Sequence, residues 1–397
     1  MLLREMTVEY VESLRYVEEV PRLFSLPDPG GDVLALVGPR RVGKTFQLLK
    51  RAKQLLEAGH QVVYVTFDDP EVRGWTARRF AEEVRAVYPS GRVALFLDEV
   101  QEWPGWDAKV RWLHDVKDFD IYVTGSTAEL TMEKIPSRLR GRYRSLLLLP
   151  LSFAEIARAA PLTFRERGAA RALFEEYVKW GGFPEVWRSR SPDKLRALLD
   201  TIFYRDVVER RGVKDVEAFE RLFYVVLENY SNLVTWRRLA KAADVDHKTA
   251  ANYVKYLQEA YLLFVVEPHG PAKARAAAPR KIYLVDPAFT NLTYTGRDAG
   301  RKLENLLFLH LLRRALREGG RIRYLKIGEE EVDFVYLTQR GVELYEAAYE
   351  PDERHVKKCR KAAEKIGAPC KLVTWVEAEG AVPIWRLLLE EGPPQGA

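Results

Sequence analysis

Apolar and polar positions change their rhythm around residue 150. Before it, five short apolar runs stand at residues 33–37, 61–67, 93–99, 120–127 and 146–149, separated by stretches of helical composition. Runs this continuous suit strands buried on both faces, as in a parallel sheet covered by helices. Residues 46–52 and 75–88 supply helices between them, the second with Phe80, Val84 and Val87 on one face. Residues 7–20 place Val8, Val11, Leu14, Tyr16, Val17 and Val20 at helical spacing, which predicts a peripheral helix. The cluster at 26–31 is a turn leading into the first strand. The fold class expected is α/β.

After residue 150 the pattern is mostly helical as far as 230, with Gly181-Gly182 marking a tight turn. Residues 218–230 form an apolar-striped helix. Thr235 caps a second helix that ends at Ala243, and Asp246 caps a third from His247 to about Glu259. Residues 261–266 and 281–285 read as two strands joined by a loop carrying Lys273, Arg275 and Arg280. A helix at 300–320 is followed by strands at 321–325, 331–337 and 342–348. A strand at 370–376, a helix at 381–390 and a loose tail close the chain.

Composition narrows this picture only slightly. With 397 residues, 47% hydrophobic and 30% charged, the chain is expected to be soluble and globular, with two or three domains. Its formal charge of +6 permits a nucleic-acid partner. The first twenty residues are too charged for a signal peptide, and no apolar run approaches the ~20 residues of a membrane helix. Cys359 and Cys370 have no companion cysteines and no nearby histidine pair. Neither zinc nor a disulfide framework is expected, which fits a reducing cytoplasm.

The chemistry lies at the strand ends. The first run leads into Gly38-Pro39-Arg40-Arg41-Val42-Gly43-Lys44-Thr45 and then a helix. Strand, GxxxxGK[ST], helix is the context of a phosphate-binding loop, whose amides and helix N-terminus attract phosphate. Lys44 would reach the β- and γ-phosphates of ATP, and the Thr45 hydroxyl would ligate Mg²⁺. The third run ends in Asp98-Glu99, the Walker B position on such a protein. Asp98 would hold Mg²⁺ directly or through water, while Glu99 would orient or deprotonate the attacking water. The fourth run ends in Thr124-Gly125-Ser126 and fits a strand between the two Walker strands, with Thr124 or Ser126 touching the γ-phosphate or the water. Residues 137–144 carry four arginines, of which Arg142 is the candidate for stabilising transition-state charge. On the third C-terminal helix, His247, Lys248, Asn252 and Lys255 would face outward. With Arg275 from the loop, they make a candidate DNA-binding set.

GPRRVGKT, LFLDEVQEW, VTGST and LRGRY followed by LPLSFAEI resemble the AAA+ ATPases of archaea and bacteria that carry extra C-terminal domains. Tyr177-x-x-Trp180-Gly181-Gly182-Phe183-Pro184 and Tyr204-Arg205-Asp206-Val207 match the helical part of the same family. The resemblance implies an ATPase core at 1–151, a helical lid at 152–217, a winged helix at 218–285 and a restriction-endonuclease-like domain at 286–397. It also implies a homo-oligomer, possibly ring-shaped, in which Arg142 serves its own site or a neighbour's. In the nuclease-like order, Glu304, Asp333 and Glu346 stand at the metal-binding carboxylates, but Ala348 replaces the lysine. Lys357 or Lys358 could supply that charge from the next helix. A degenerate nuclease fold, kept for DNA binding or assembly, is the expectation.

The function expected is therefore a soluble Mg²⁺-dependent ATPase acting on DNA, including branched or recombining DNA. The alternatives are an ATP-dependent switch for a protein partner and an ATP-gated metal-dependent nuclease.

Overall fold

The computed structural model describes residues 2–116, 118–125, 141–160, 167–293 and 298–391. Two compact units divide the chain. One comprises Met1–Val20 and Phe24–Leu149, the other Pro21–Leu23 and Pro150–Gly396.

The first unit is built on strands β1 (Val33–Val37), β2 (Gln61–Thr66), β3 (Val93–Asp98), β4 (Phe119–Gly125) and β5 (Tyr143–Leu147). They pair in the order β2-β3-β4-β1-β5, and every pairing is parallel. β1 and β3 are buried along their whole length, as their unbroken apolar runs require. Parallel alignment gathers all five C-terminal ends along one edge, and β4 lies between β1 and β3. The core beside β2 is aromatic, with Phe67 stacked on Trp103 at 4.3 Å and Phe80 tilted against the same indole.

The first helix runs over Leu2–Ser13 rather than residues 7–20. It buries Leu3, Met6 and Thr7, while Val8, Tyr16 and Val17 lie exposed. Thr7 decides its placement. The Thr7 hydroxyl donates to the Leu3 carbonyl and accepts the Tyr64 N–H at 3.0 Å, tying the helix to β2. An apolar stripe is weak evidence when a buried threonine supplies the anchor.

In the second unit, Thr235 and Asp246 cap their helices as expected, over Trp236–Ala243 and His247–Glu259. The helix Val216–Glu228 precedes them, and a small antiparallel sheet accompanies all three. Its strands are β6 (Leu233–Val234), β7 (Leu263–Val266) and β8 (Arg280–Leu284), in the order β6-β8-β7. The segment between β7 and β8 holds a short helix, Ala272–Ala277.

A five-stranded sheet completes this unit. Strands β9 (Arg321–Ile327), β10 (Glu330–Thr338) and β11 (Gly341–Ala348) are antiparallel neighbours. Strands β12 (Cys370–Thr374) and β13 (Val382–Pro383) extend it in parallel. The long helix Ala299–Glu318 belongs to the same unit, and Glu353–Ile366 crosses from β11 to β12. Leu325, Val332, Val335, Leu344 and Ala362 form the core between that crossover helix and the sheet.

The Gly181-Gly182 turn is fixed by close approach. A Cβ on Gly182 would stand 2.1 Å from the Leu151 carbonyl oxygen, and the Gly182 N–H donates to Asp286 at 2.7 Å. Burial raises the Asp286 carboxyl to about 6, even though backbone N–H donors favour its charged form.

One expectation is overturned. Cys359, on the crossover helix, and Cys370, at the start of β12, are joined in a disulfide with their Cα atoms 5.5 Å apart. Eleven residues separate them. Spacing alone gave no hint, because the pair meets only when the helix folds back over β12. The cysteines therefore no longer argue for a reducing compartment. Closing a loop of this size stabilises a fold by about 3 kcal/mol in the chain-entropy account. A thiol reductant should accordingly lower the urea midpoint of the second unit, and an unchanged midpoint would contradict the bond's contribution.

Among the described residues, no helix is long and apolar enough to cross a membrane.

Candidate functional site

The loop after β1 is shaped by three residues with left-handed backbone: Gly38 at φ 148°, Arg41 at 60° and Gly43 at 100°. Gly38 has no substitute, since a Cβ there would sit 2.3 Å from the Leu148 carbonyl oxygen. The curl ends in the helix Lys44–Glu57, whose N-terminus opens onto the loop with Gly43 at its cap. Lys44 is buried and donates to the carbonyls of Gly38 at 3.0 Å and Pro39 at 2.9 Å. Its ammonium thus lies directly over the loop.

β3 brings Asp98 against this loop. The Thr45 hydroxyl donates to Asp98 Oδ2 at 2.9 Å, the Tyr64 hydroxyl to the same oxygen at 2.8 Å, and the Thr124 hydroxyl to Oδ1. Burial, followed by the Glu99 charge, raises the Asp98 carboxyl above its ordinary range, and the three hydroxyl donors work against that shift. A hydroxyl and a carboxylate side by side are hard-oxygen donors of the kind Mg²⁺ takes. Glu99 has a left-handed backbone at φ 51°. Its N–H donates to Thr124 Oγ1 at 3.0 Å, and its carboxylate accepts from the Gln101 side-chain amide. Thr124 therefore ties together Asp98, the last residue of β3, and Glu99, which follows it. Tyr64 was missed in the sequence, where it is one more apolar residue of β2. Ser126 lies outside the described residues.

Arg142 is not brought to this site. It precedes β5, whose Tyr143 pairs in register with Val33 at the start of β1, and its carbonyl accepts the Val33 N–H at 2.8 Å. The phosphate loop follows Val37 at the other end, about 13 Å away along the strand. The guanidinium pairs with Asp115. In this arrangement Arg142 lies beside the start of β1, at the opposite end of that strand from the phosphate loop. Its position in the chain, next to a strand, did not say which end of the strand it would occupy.

The second unit holds another cluster. Asp333 falls at a register shift between Val332 and Val335 on β10, a bulge that re-aims the side chain. Glu304 comes from the helix Ala299–Glu318 and Glu346 from β11. These carboxylates meet lysines. Lys281 of β8, with its side chain 1% exposed, places Nζ 2.8 Å from Asp333, 2.9 Å from Glu304 and 2.9 Å from Glu331. Lys358 pairs with Glu346, whereas Lys357 turns outward to Glu353 at 3.2 Å. The Tyr283 hydroxyl also donates to Glu304 at 2.6 Å, and the Ala347 N–H to Asp333 at 2.9 Å. Burial raises Glu304 and Glu346, with the neighbouring Asp333 charge adding to both shifts. Among the described residues, no three His, Cys, Asp or Glu side chains are arranged to hold a metal ion. The carboxylates expected as metal ligands, Glu304, Asp333 and Glu346, are thus each paired with a lysine in this structure. Lys281 and Glu331 went unnoticed in the sequence. The available signal was a lysine beside the apolar run Ile282-Tyr283-Leu284 of a strand buried from residue 281 onward.

His247, Lys248, Asn252 and Lys255 all lie exposed on their helix, while Tyr253 and Leu257 are buried. Arg275 differs. It sits in the short helix after β7, 3.4 Å from Glu267, and donates to the Gly270 carbonyl. Its charge is largely answered within the chain.

Residues 31–157 match the family described as AAA domain, and residues 171–299 match a domain of unknown function. An uncharacterised protein of Methanocaldococcus jannaschii is 28% identical over 388 residues, 94% of this chain and 87% of its own length. An uncharacterised protein of Haemophilus influenzae is 27% identical, over 81% of this chain and 84% of its own length. Among solved structures, AMPPCP-bound DnaA from Aquifex aeolicus is similar at 16% identity and a TM-score of 0.29, covering 65% of this chain and 88% of that one. That score carries no functional argument. Over residues 31–157 the first unit is thus similar to the AAA domain family, and its parallel sheet and loop geometry agree with a P-loop fold.

Proposed function

We propose that this chain is an ATP hydrolase that binds DNA through its second unit and couples turnover to that binding. The observation that carries the hydrolytic half is the 2.9 Å contact between Thr45 and Asp98, with Glu99 next in the chain. Thr45 and Asp98 would hold Mg²⁺, which supplies charge neutralisation on the phosphates when bound. Lys44 would bind the β- and γ-phosphates, and the amides at the helix start would orient them. Glu99 would accept the proton of the attacking water, while Thr124 keeps its backbone in place. Arg142 would serve a neighbouring subunit, which makes the active form a homo-oligomer.

For DNA, the three helices with the β6-β8-β7 sheet read as a winged helix. His247, Lys248, Asn252 and Lys255 present charge and amide donors on its exposed helix. The nuclease-like part would bind without cutting.

Steady-state ATP turnover, measured with and without duplex and four-way DNA at two salt concentrations, tests the reading. DNA should accelerate turnover, and more strongly at low salt. The double substitution Lys248→Ala, Lys255→Ala should reduce the salt slope of binding by about 2. Turnover indifferent to every DNA would instead favour a switch acting on a protein partner.

A further inference from the structure

Lys281 sits where a cation would be expected, although it belongs to a different sheet from the carboxylates around it. An ammonium has three N–H donors. Three carboxylates, from Glu304, Glu331 and Asp333, stand within 2.9 Å of Nζ, so every donor has an acceptor. The acceptors remain in excess. Glu331 and Glu346 each keep one buried carboxylate oxygen without a hydrogen-bond partner among the described residues. The cluster consists of hard oxygens from a helix, a bulged strand and its neighbour, a donor set that Mg²⁺ or Mn²⁺ takes. With Nζ within 2.9 Å of three of these carboxylates, the Lys281 ammonium competes with a divalent ion for the same oxygens.

We propose that Lys281 is a built-in cation filling a divalent-metal site, so that the natural chain holds no metal there and removal of the lysine opens the site. The proposal rests on the reading of this unit as one that does not cut DNA, and it names the reason. Lys281→Met keeps most of the side-chain bulk but ends one atom short of Nζ, leaving the ammonium's position vacant among the carboxylates. Lys281→Ala clears more room.

Mn²⁺ titration of the full chain, followed by electron paramagnetic resonance, tests it. Wild type and Asp333→Asn should titrate identically, any binding at Thr45 and Asp98 being common to both. Lys281→Met should take up one further equivalent, lost again in Lys281→Met, Asp333→Asn. An equivalent in wild type that Asp333→Asn removes overturns the proposal, as does a folded Lys281→Met or Lys281→Ala chain that gains none. If neither lysine variant folds, wild type against Asp333→Asn still decides: equal titrations support the built-in cation, and unequal ones refute it. Nicking of supercoiled DNA by wild type in Mn²⁺, abolished by Asp333→Asn, would instead overturn the non-cutting reading itself.

Discussion

Glu99→Gln should bind ATP as wild type does and hydrolyse it at least a hundredfold more slowly. The substitution is nearly isosteric, and glutamine accepts the left-handed backbone at φ 51° no worse than glutamate does. The Glu99 N–H keeps its bond to Thr124, so Asp98 and Thr45 stay in position. Only the proton acceptor is lost, and positioned general bases contribute about 10²–10⁴ in rate. Phosphate release and binding of a fluorescent ATP analogue, measured on the same preparation, separate the two effects. A variant that turns over at the wild-type rate would remove Glu99 from the mechanism. One that no longer binds nucleotide would show that the residue shapes the pocket.

The second large effect concerns stability. Lys281→Met removes the ammonium lying among Glu304, Glu331 and Asp333, and leaves a buried Asp333 and half-buried Glu304 and Glu331 without it. Breaking a buried ion pair from one side costs about 3–5 kcal/mol. Much of that loss should depend on pH, and its sign follows from linkage. Folding already raises Glu304 and Glu346 above their ordinary values. A carboxyl whose folded pKa is raised binds more protons folded than unfolded, so its contribution to stability falls as pH rises. Without the lysine these groups shift further up. The deficit of Lys281→Met should therefore be greatest near pH 8 and shrink as pH falls through the raised folded values. Urea unfolding of wild type and variant at pH 5 and pH 8 measures it. A deficit below 1 kcal/mol at pH 8, or one independent of pH, would mean that the carboxylates are solvated in the folded state.

Those two sites differ in how much of them could be read beforehand. The phosphate loop is local: eight consecutive residues and the strand before them dictate its shape, and Asp98-Glu99 ends an unmistakably buried run. Local signals also placed the caps at Thr235 and Asp246. What escaped is held by partners distant in the chain. Thr7 anchors the first helix through Tyr64, fifty-seven residues on. Which end of the sheet Arg142 occupies is settled only by the β1–β5 register. The Cys359–Cys370 bond depends on a helix folding back. Lys281 finds Asp333 fifty-two residues away. Periodicity reports which face is buried and says nothing about which charges meet there.

The lysine among the carboxylates also constrains how this chain can change over generations. Its members come from distant parts of the chain, with Lys281 twenty-three residues from Glu304 and fifty-two from Asp333. Losing the lysine strands several acids, and losing an acid leaves the lysine short of an acceptor. Neither step is neutral alone, so these positions should drift as a linked set. A descendant could recover a metal by one substitution at Lys281, but only through an unstable intermediate or with the ion already at hand. The cluster is thus a ratchet, easier to keep than to leave.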